Sequence, residues 1–159
     1  MKAKGNLGSP FIRARFEQTG KRLDTAALDG LLEVTLGHPY ATQELAYALW
    51  EATPRGRIAR APELASALAH VLRSENAHFT LVWDDASRAQ RLVLQALAAE
   101  PAHSITSAEY RQRHGLPASS GVQKALDALL ERELVTKLGP GSYRIGEPFL
   151  REWIVAGPS

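Results

Sequence analysis

The strongest constraint on this chain lies near its C-terminal end. There Leu134-Val135-Thr136-Lys137-Leu138 and Ser142-Tyr143-Arg144-Ile145 read as two strands joined by Gly139-Pro140-Gly141. Proline can set φ at one turn position, and the following glycine is free to take φ > 0 at the next. That pattern predicts a β-hairpin. Elsewhere Ala and Leu dominate and β-branched residues are sparse, which favours helix.

Three helical segments precede the hairpin. Ser87 can cap a helix holding Leu92, Val93, Leu94 and Leu97, which ends before Pro101. Thr106-Ser107-Ala108-Glu109 has the form of a capping box, with Ile105 and Tyr110 at the staple positions, and the short helix closes at Gly115. After Leu116-Pro117, Ser119 or Ser120 can cap a third helix whose Val122, Leu126, Leu129 and Leu130 face inward. Past the hairpin, a final helical segment carries Phe149, Leu150 and Trp153. Three helices and then a hairpin is the order of a winged helix–turn–helix.

The N-terminal half has a looser layout. Residues 1–9 read as a flexible lead. Phe11, Ile12 and Phe16 predict a short helix or docked strand that ends near Gly20. Asp24-Thr25 can cap a helix carrying Leu28, Leu31, Leu32 and Leu36, stopped by Gly37. Pro39 fits the first turn of the next helix, which runs to Ala52 and buries Leu45, Leu49 and Trp50. Thr53-Pro54-Arg55-Gly56-Arg57 is a loop. From Pro62 to Asp84 the spacing of Leu64, Leu68, Val71, Leu72, Phe79 and Val82 predicts one long helix, irregular around Ser74-Glu75-Asn76. The expected fold is mainly α: a helical subdomain over 10–84, then a winged helix–turn–helix with a short β-hairpin wing over 85–159.

The chain has no cysteine, which excludes disulfides, thiolate metal sites and cysteine nucleophiles together. It lacks both G-x-x-x-x-G-K-[ST] and G-x-G-x-x-G. The histidines at 38, 70, 78, 103 and 114 show no H-x-x-x-H pairing, so no zinc site is expected. Asp84-Asp85 sits at a helix junction, where capping is the ordinary role. No catalytic residue, metal or cofactor is expected in this chain. No apolar run approaches membrane-spanning length, which makes a membrane partner unexpected and a cytoplasmic location the expectation.

In a winged helix the second helix of the pair enters the major groove with its N-terminal residues on base edges. Here those residues are Ser119, Ser120, Gln123 and Lys124, while Lys137, Tyr143 and Arg144 can reach the phosphate backbone from the wing. Double-stranded DNA is the partner this implies. Asp127, Glu131 and Glu133 make the third helix net acidic, so a wing used for protein contact leaves the same trace.

The corner Gly37-His38-Pro39-Tyr40-Ala41-Thr42-Gln43-Glu44-Leu45 is followed by a long helix and then by the winged-helix pattern. That pattern closes with Tyr143-Arg144-Ile145 and Pro148-Phe149-Leu150-x-x-Trp153. In this order the segments resemble the C-terminal part of the AAA+/STAND-type P-loop ATPases, including origin-recognition-like and archaeal-type members. Phe11 to Gly20 resembles their linker from core to lid. The resemblance spans about residues 10–155. It implies a lid whose Gly-x-Pro corner, here Gly37, His38 and Pro39 with Tyr40 beside them, faces the adenine of a nucleotide. ATP and magnesium would be held by a nucleotide-binding core domain of the same parent protein, and this chain would not hydrolyse ATP. It would couple nucleotide state to DNA or to a protein partner. Two further readings stay open: a freestanding winged-helix transcription regulator whose N-terminal helices dimerise, and a protein–protein interaction module.

Overall fold

The computed structural model describes residues 8–158. Most of the flexible lead expected over 1–9 lies outside the described residues; of that stretch, Gly8 precedes α1 and Ser9 already begins it. The chain divides into two compact units, the first ending at Glu75 and the second beginning at Asn76.

In the first unit α1 (Ser9–Gln18) leads to β1 (Arg22–Leu23), α2 (Thr25–Thr35), α3 (Pro39–Ala52) and β2 (Ile58–Ala59). The long α4 (Ala61–Asp85) starts here and carries the unit boundary inside it, as one unbroken helix through Ser74-Glu75-Asn76. Phe16, Leu31, Leu45 and Leu49 are fully buried and form the core. Arg13 fastens α1 to β1 and α2, donating from Nη1 to the Leu23 carbonyl at 2.8 Å and from Nη2 to Thr25 Oγ1 at 3.3 Å. The pattern of the sequence did not reveal that β1 and β2 pair, in parallel, with Arg22 opposite Ile58 and Leu23 opposite Ala59. Each strand is only two residues long and its partner lies across two helices, so no local signal marks either one.

The turn between α2 and α3 is tighter than one glycine stop. Leu36 (φ 52°) and Gly37 (φ 69°) are both left-handed, and His38 then caps α3 with Nδ1 accepting from Ala41 N–H at 3.3 Å. The two buried threonines are satisfied: Thr35 donates to the Leu31 carbonyl and shares a 2.9 Å contact with Thr42, and Thr53 donates to the Leu49 carbonyl.

In the second unit, α5 (Arg88–Ala99), α6 (Ala108–His114) and α7 (Ser119–Glu131) precede β3 (Val135–Gly139), β4 (Ser142–Ile145) and α8 (Pro148–Ala156). Helix α5 packs on α7, α8 and β4, so Val93, Leu94 and Leu97 sit at the centre of the core with Leu126, Leu129, Ile145 and Leu150. Trp153 of α8 reaches the end of α4. Its Nε1 donates to Asn76 Oδ1 at 2.8 Å, and its ring lies 5.9 Å from Phe79 and 6.2 Å from Trp83.

The hairpin forms as expected, Val135 pairing with Ile145 and Gly139 with Ser142, with a bulge between Lys137 and Gly139. A two-residue turn joins the strands, and Gly141 at φ 70° is needed twice over, since a Cβ there would lie 2.9 Å from the His103 carbonyl oxygen. A third piece of extended chain pairs with β4: Ala102 and Tyr143 exchange backbone hydrogen bonds of 3.2 and 2.9 Å.

Several caps differ from expectation. The box lies on α5, where Ser87 Oγ accepts from Gln90 N–H and the Gln90 side chain accepts from Ser87 N–H. At α6 the cap is Ser107 alone, one residue later than the Thr106 box would place it. Neither Ser119 nor Ser120 caps α7; Ala118 occupies that position and both serines lie in the first turn. The exit from α7 goes through Glu133 at φ 60°, a conformation that costs a non-glycine residue about 1 kcal/mol. Leu134 N–H bonds back to the Leu129 carbonyl there, closing the helix end.

Candidate nucleic-acid interface

On the second unit, Ser119, Ser120, Gln123 and Lys124 are all exposed on the first turns of α7. No side chain caps that end, so its first amide groups lack a side-chain acceptor. Gln123 Nε2 donates to Asp127 Oδ1 at 2.9 Å, which directs one end of its amide along the helix. On the wing, Lys137 is exposed with Nζ 5.9 Å from the Tyr143 ring centroid, and Arg144 is half-buried. Tyr143 itself is 5% exposed. It holds the wing to Ala102, and this leaves Lys137 and Arg144 as the cations the hairpin presents.

The basic side chains of α6 are already engaged. Arg113 Nε lies 3.2 Å from Glu100 and its Nη1 3.9 Å from Glu109, while His114 Nε2 lies 2.7 Å from Glu100. Arg111 Nε donates to the Thr106 carbonyl. Tyr110 OH donates to the Glu100 carbonyl at 2.8 Å. Burial first, and then the nearby Glu100 carboxylate, push the Tyr110 phenol up to about 12 against the opposing pull of Arg113.

The first unit carries a groove of about 790 Å³ along α1 and α3. Phe11, Phe16, Tyr47 and Trp50 give it aromatic walls, Gly37 and Pro39 also line it, and Arg15 is its charged lining residue. Phe11 and Tyr47 are 67% and 61% exposed. Of the four corner residues, Gly37 and Pro39 therefore line the groove, whereas the His38 ring is occupied as a cap and Tyr40 stands 72% exposed. Lys21 closes one side of Trp50, its Nζ 3.8 Å from the ring centroid and 2.6 Å from the Trp50 carbonyl oxygen.

The comparison with known families decides the identity of the second unit. A family model described as "probable winged helix domain" matches residues 77–156, half of the chain. The chain belongs to that family. The winged helix so defined takes in the end of α4, which explains why Trp153 reaches back to Asn76, Phe79 and Trp83. No match was found among curated proteins or solved structures. Among the described residues, no helix is long and apolar enough to cross a membrane.

Sequence reasoning missed the groove, because it depends on which faces of α1 and α3 stay open. The available signal was the pair of non-core aromatics Phe11 and Tyr47, in helices whose cores were otherwise accounted for by Ile12, Phe16, Leu45 and Leu49.

Proposed function

We propose that this chain is a non-catalytic binding module whose winged helix engages duplex DNA through the start of α7 and the wing. The observation that carries the reading is the uncapped first turn of α7, where Ser119, Ser120, Gln123 and Lys124 are exposed together. Hydroxyl and amide groups can read base edges in the major groove, and Lys124, Lys137 and Arg144 can neutralise phosphates. In a parent P-loop ATPase, the first unit would serve as the lid, with Gly37 and Pro39 packing on the purine and the phosphate-binding and magnesium-binding residues supplied by a separate core. The parent gene would then encode a Walker motif upstream of this segment.

Fluorescence anisotropy of a labelled duplex across a salt series tests the DNA reading. Affinity should fall steeply as salt rises, and Lys124→Ala with Arg144→Ala should lower it about tenfold and flatten the salt slope by about two. Salt-independent binding, or a double variant identical to the parent, would refute it. A protein-contact reading is favoured by one specific observation, the exposed Asp127, Glu131 and Glu133 along and just past α7. Absence of duplex binding even at low salt would select it.

A further inference from the structure

The end of the first unit holds four arginines without partners. Arg22, Arg55, Arg57 and Arg60 are all exposed, and none of their side chains has an ion pair or hydrogen bond among the described residues. The fold gathers them. Arg22 N–H donates to the Arg57 carbonyl at 3.0 Å, Gly56 N–H donates to the Gly20 carbonyl at 2.7 Å, and the Arg55 side chain lies over Gly20. Strand pairing thus brings residues far apart in sequence to one edge, with neighbouring backbones about 4.8 Å apart. Two carboxylates stand near: Glu17, which shares a shallow cleft with Lys21 and Arg22, and Glu63, whose Oε2 accepts from Arg60 N–H.

This cationic edge is continuous with the aromatic groove through Lys21, which lines the cleft on one side and covers Trp50 on the other. Tyr47 stacks on Trp50 with centroids 6.0 Å apart and keeps most of its surface open, although its hydroxyl is bonded to the Glu51 carboxylate. An arginine row beside open aromatic faces is the chemistry that holds unpaired nucleotides, with guanidinium forks on phosphates and bases stacked on rings. A duplex offers its phosphates but keeps its bases stacked away. A folded protein partner would match the apolar groove, but it would need a row of carboxylates at the right distance to match the guanidiniums as well.

We infer that the first unit binds single-stranded nucleic acid, its bases against Phe11 and Tyr47 and its phosphates along Arg22, Arg55, Arg57 and Arg60. The site shares no residue with the duplex face of the winged helix and does not depend on that reading.

Anisotropy of a labelled twelve-residue deoxythymidine strand against the whole chain provides the test, with an abasic strand of equal length as the control. The thymidine strand should bind at least fivefold more tightly than the abasic one, since each stacked base adds a sizeable increment. Arg55→Ala with Arg57→Ala should weaken binding about tenfold and reduce the salt slope. Phe11→Ala with Tyr47→Ala should remove the preference over the abasic strand; both residues are exposed, and circular dichroism checks that each variant stays folded. Lys124→Ala with Arg144→Ala should leave strand binding unchanged. Equal affinity for the two strands, no effect of the arginine pair, or loss through the α7 and wing pair would each overturn the inference. So would displacement of the strand by micromolar ATP, which would return the groove to a mononucleotide.

Discussion

The two units differ in how far they pair their charges, although the winged helix too leaves Lys124, Lys137 and Arg144 without an ion pair among the described residues. In the winged helix, Arg91 meets Asp84, Arg113 meets Glu100 and Glu109, His114 meets Glu100, and Arg151 meets Glu152. All of these contacts between described residues lie in the second unit. The first unit instead leaves Arg22, Arg55, Arg57 and Arg60 facing solvent, next to a groove with two open aromatic rings. Formal charge hides this contrast, because residues 81–159 hold nine basic and nine acidic residues and residues 1–80 hold ten and eight. Pairing within the fold, not the sum of charges, determines which cations remain for a ligand.

The contrast makes the winged helix sensitive to substitution at partnered groups and the first unit tolerant at its open ones. The largest effect should come from the winged-helix core: Leu126→Ala removes a fully buried side chain where α5 and α7 meet and should cost about 2–5 kcal/mol in urea unfolding. Tyr110 should give the next clearest signal. Its phenol is raised to about 12, so the folded state holds the proton longer than the unfolded chain, whose tyrosines titrate near 10. The stability it contributes is complete below about pH 10 and is lost as pH rises towards 12. Ultraviolet titration should show Tyr110 among the last tyrosines to ionise, and Tyr110→Phe should remove that late step. Tyr47 is also raised, by its hydrogen bond to Glu51.

The cap at Ser87 separates partnered from open hydroxyls. Ser87→Ala breaks the Ser87 side-chain bond of the capping box and should cost about 1 kcal/mol, whereas Ser119→Ala should stay within about 0.5 kcal/mol because that serine caps nothing. The smallest effect belongs to the first unit. Arg55→Ala with Arg57→Ala should shift the melting midpoint hardly at all, with stability within about 0.5 kcal/mol of the parent. A large loss there would mean that the arginines hold the fold together, and the contrast between the units would fail.

Much of the winged helix was legible because its signals are local. The helix start at Ser87, the left-handed stop at Gly115, the apolar spacing of Val122, Leu126 and Leu129, and the Pro140-Gly141 turn each act within a few residues. Cap placement was harder. Thr106-Ser107 and Ser119-Ser120 each offer two adjacent candidates, and a one-residue shift depends on how the preceding chain is anchored, as Ala102 is to Tyr143. Tyr143 read as a surface residue because an aromatic in a wing looks the same from sequence whether it faces a phosphate or the core; the Ala102 bridge decides it. In the first unit the helices were legible from their leucines, but the Arg22–Ile58 pairing crosses two helices and left no periodic trace. The arginine edge depends on that pairing, and the groove on which faces of α1 and α3 stay open.

A crossed binding experiment tests the division of labour most directly. Duplex and single strand would each be titrated against the parent chain, the Lys124→Ala/Arg144→Ala variant and the Arg55→Ala/Arg57→Ala variant at one fixed salt concentration. The first variant should lose duplex affinity and keep the single strand, and the second should do the reverse. If either pair of substitutions weakens both ligands equally, the two units do not hold separate nucleic-acid sites.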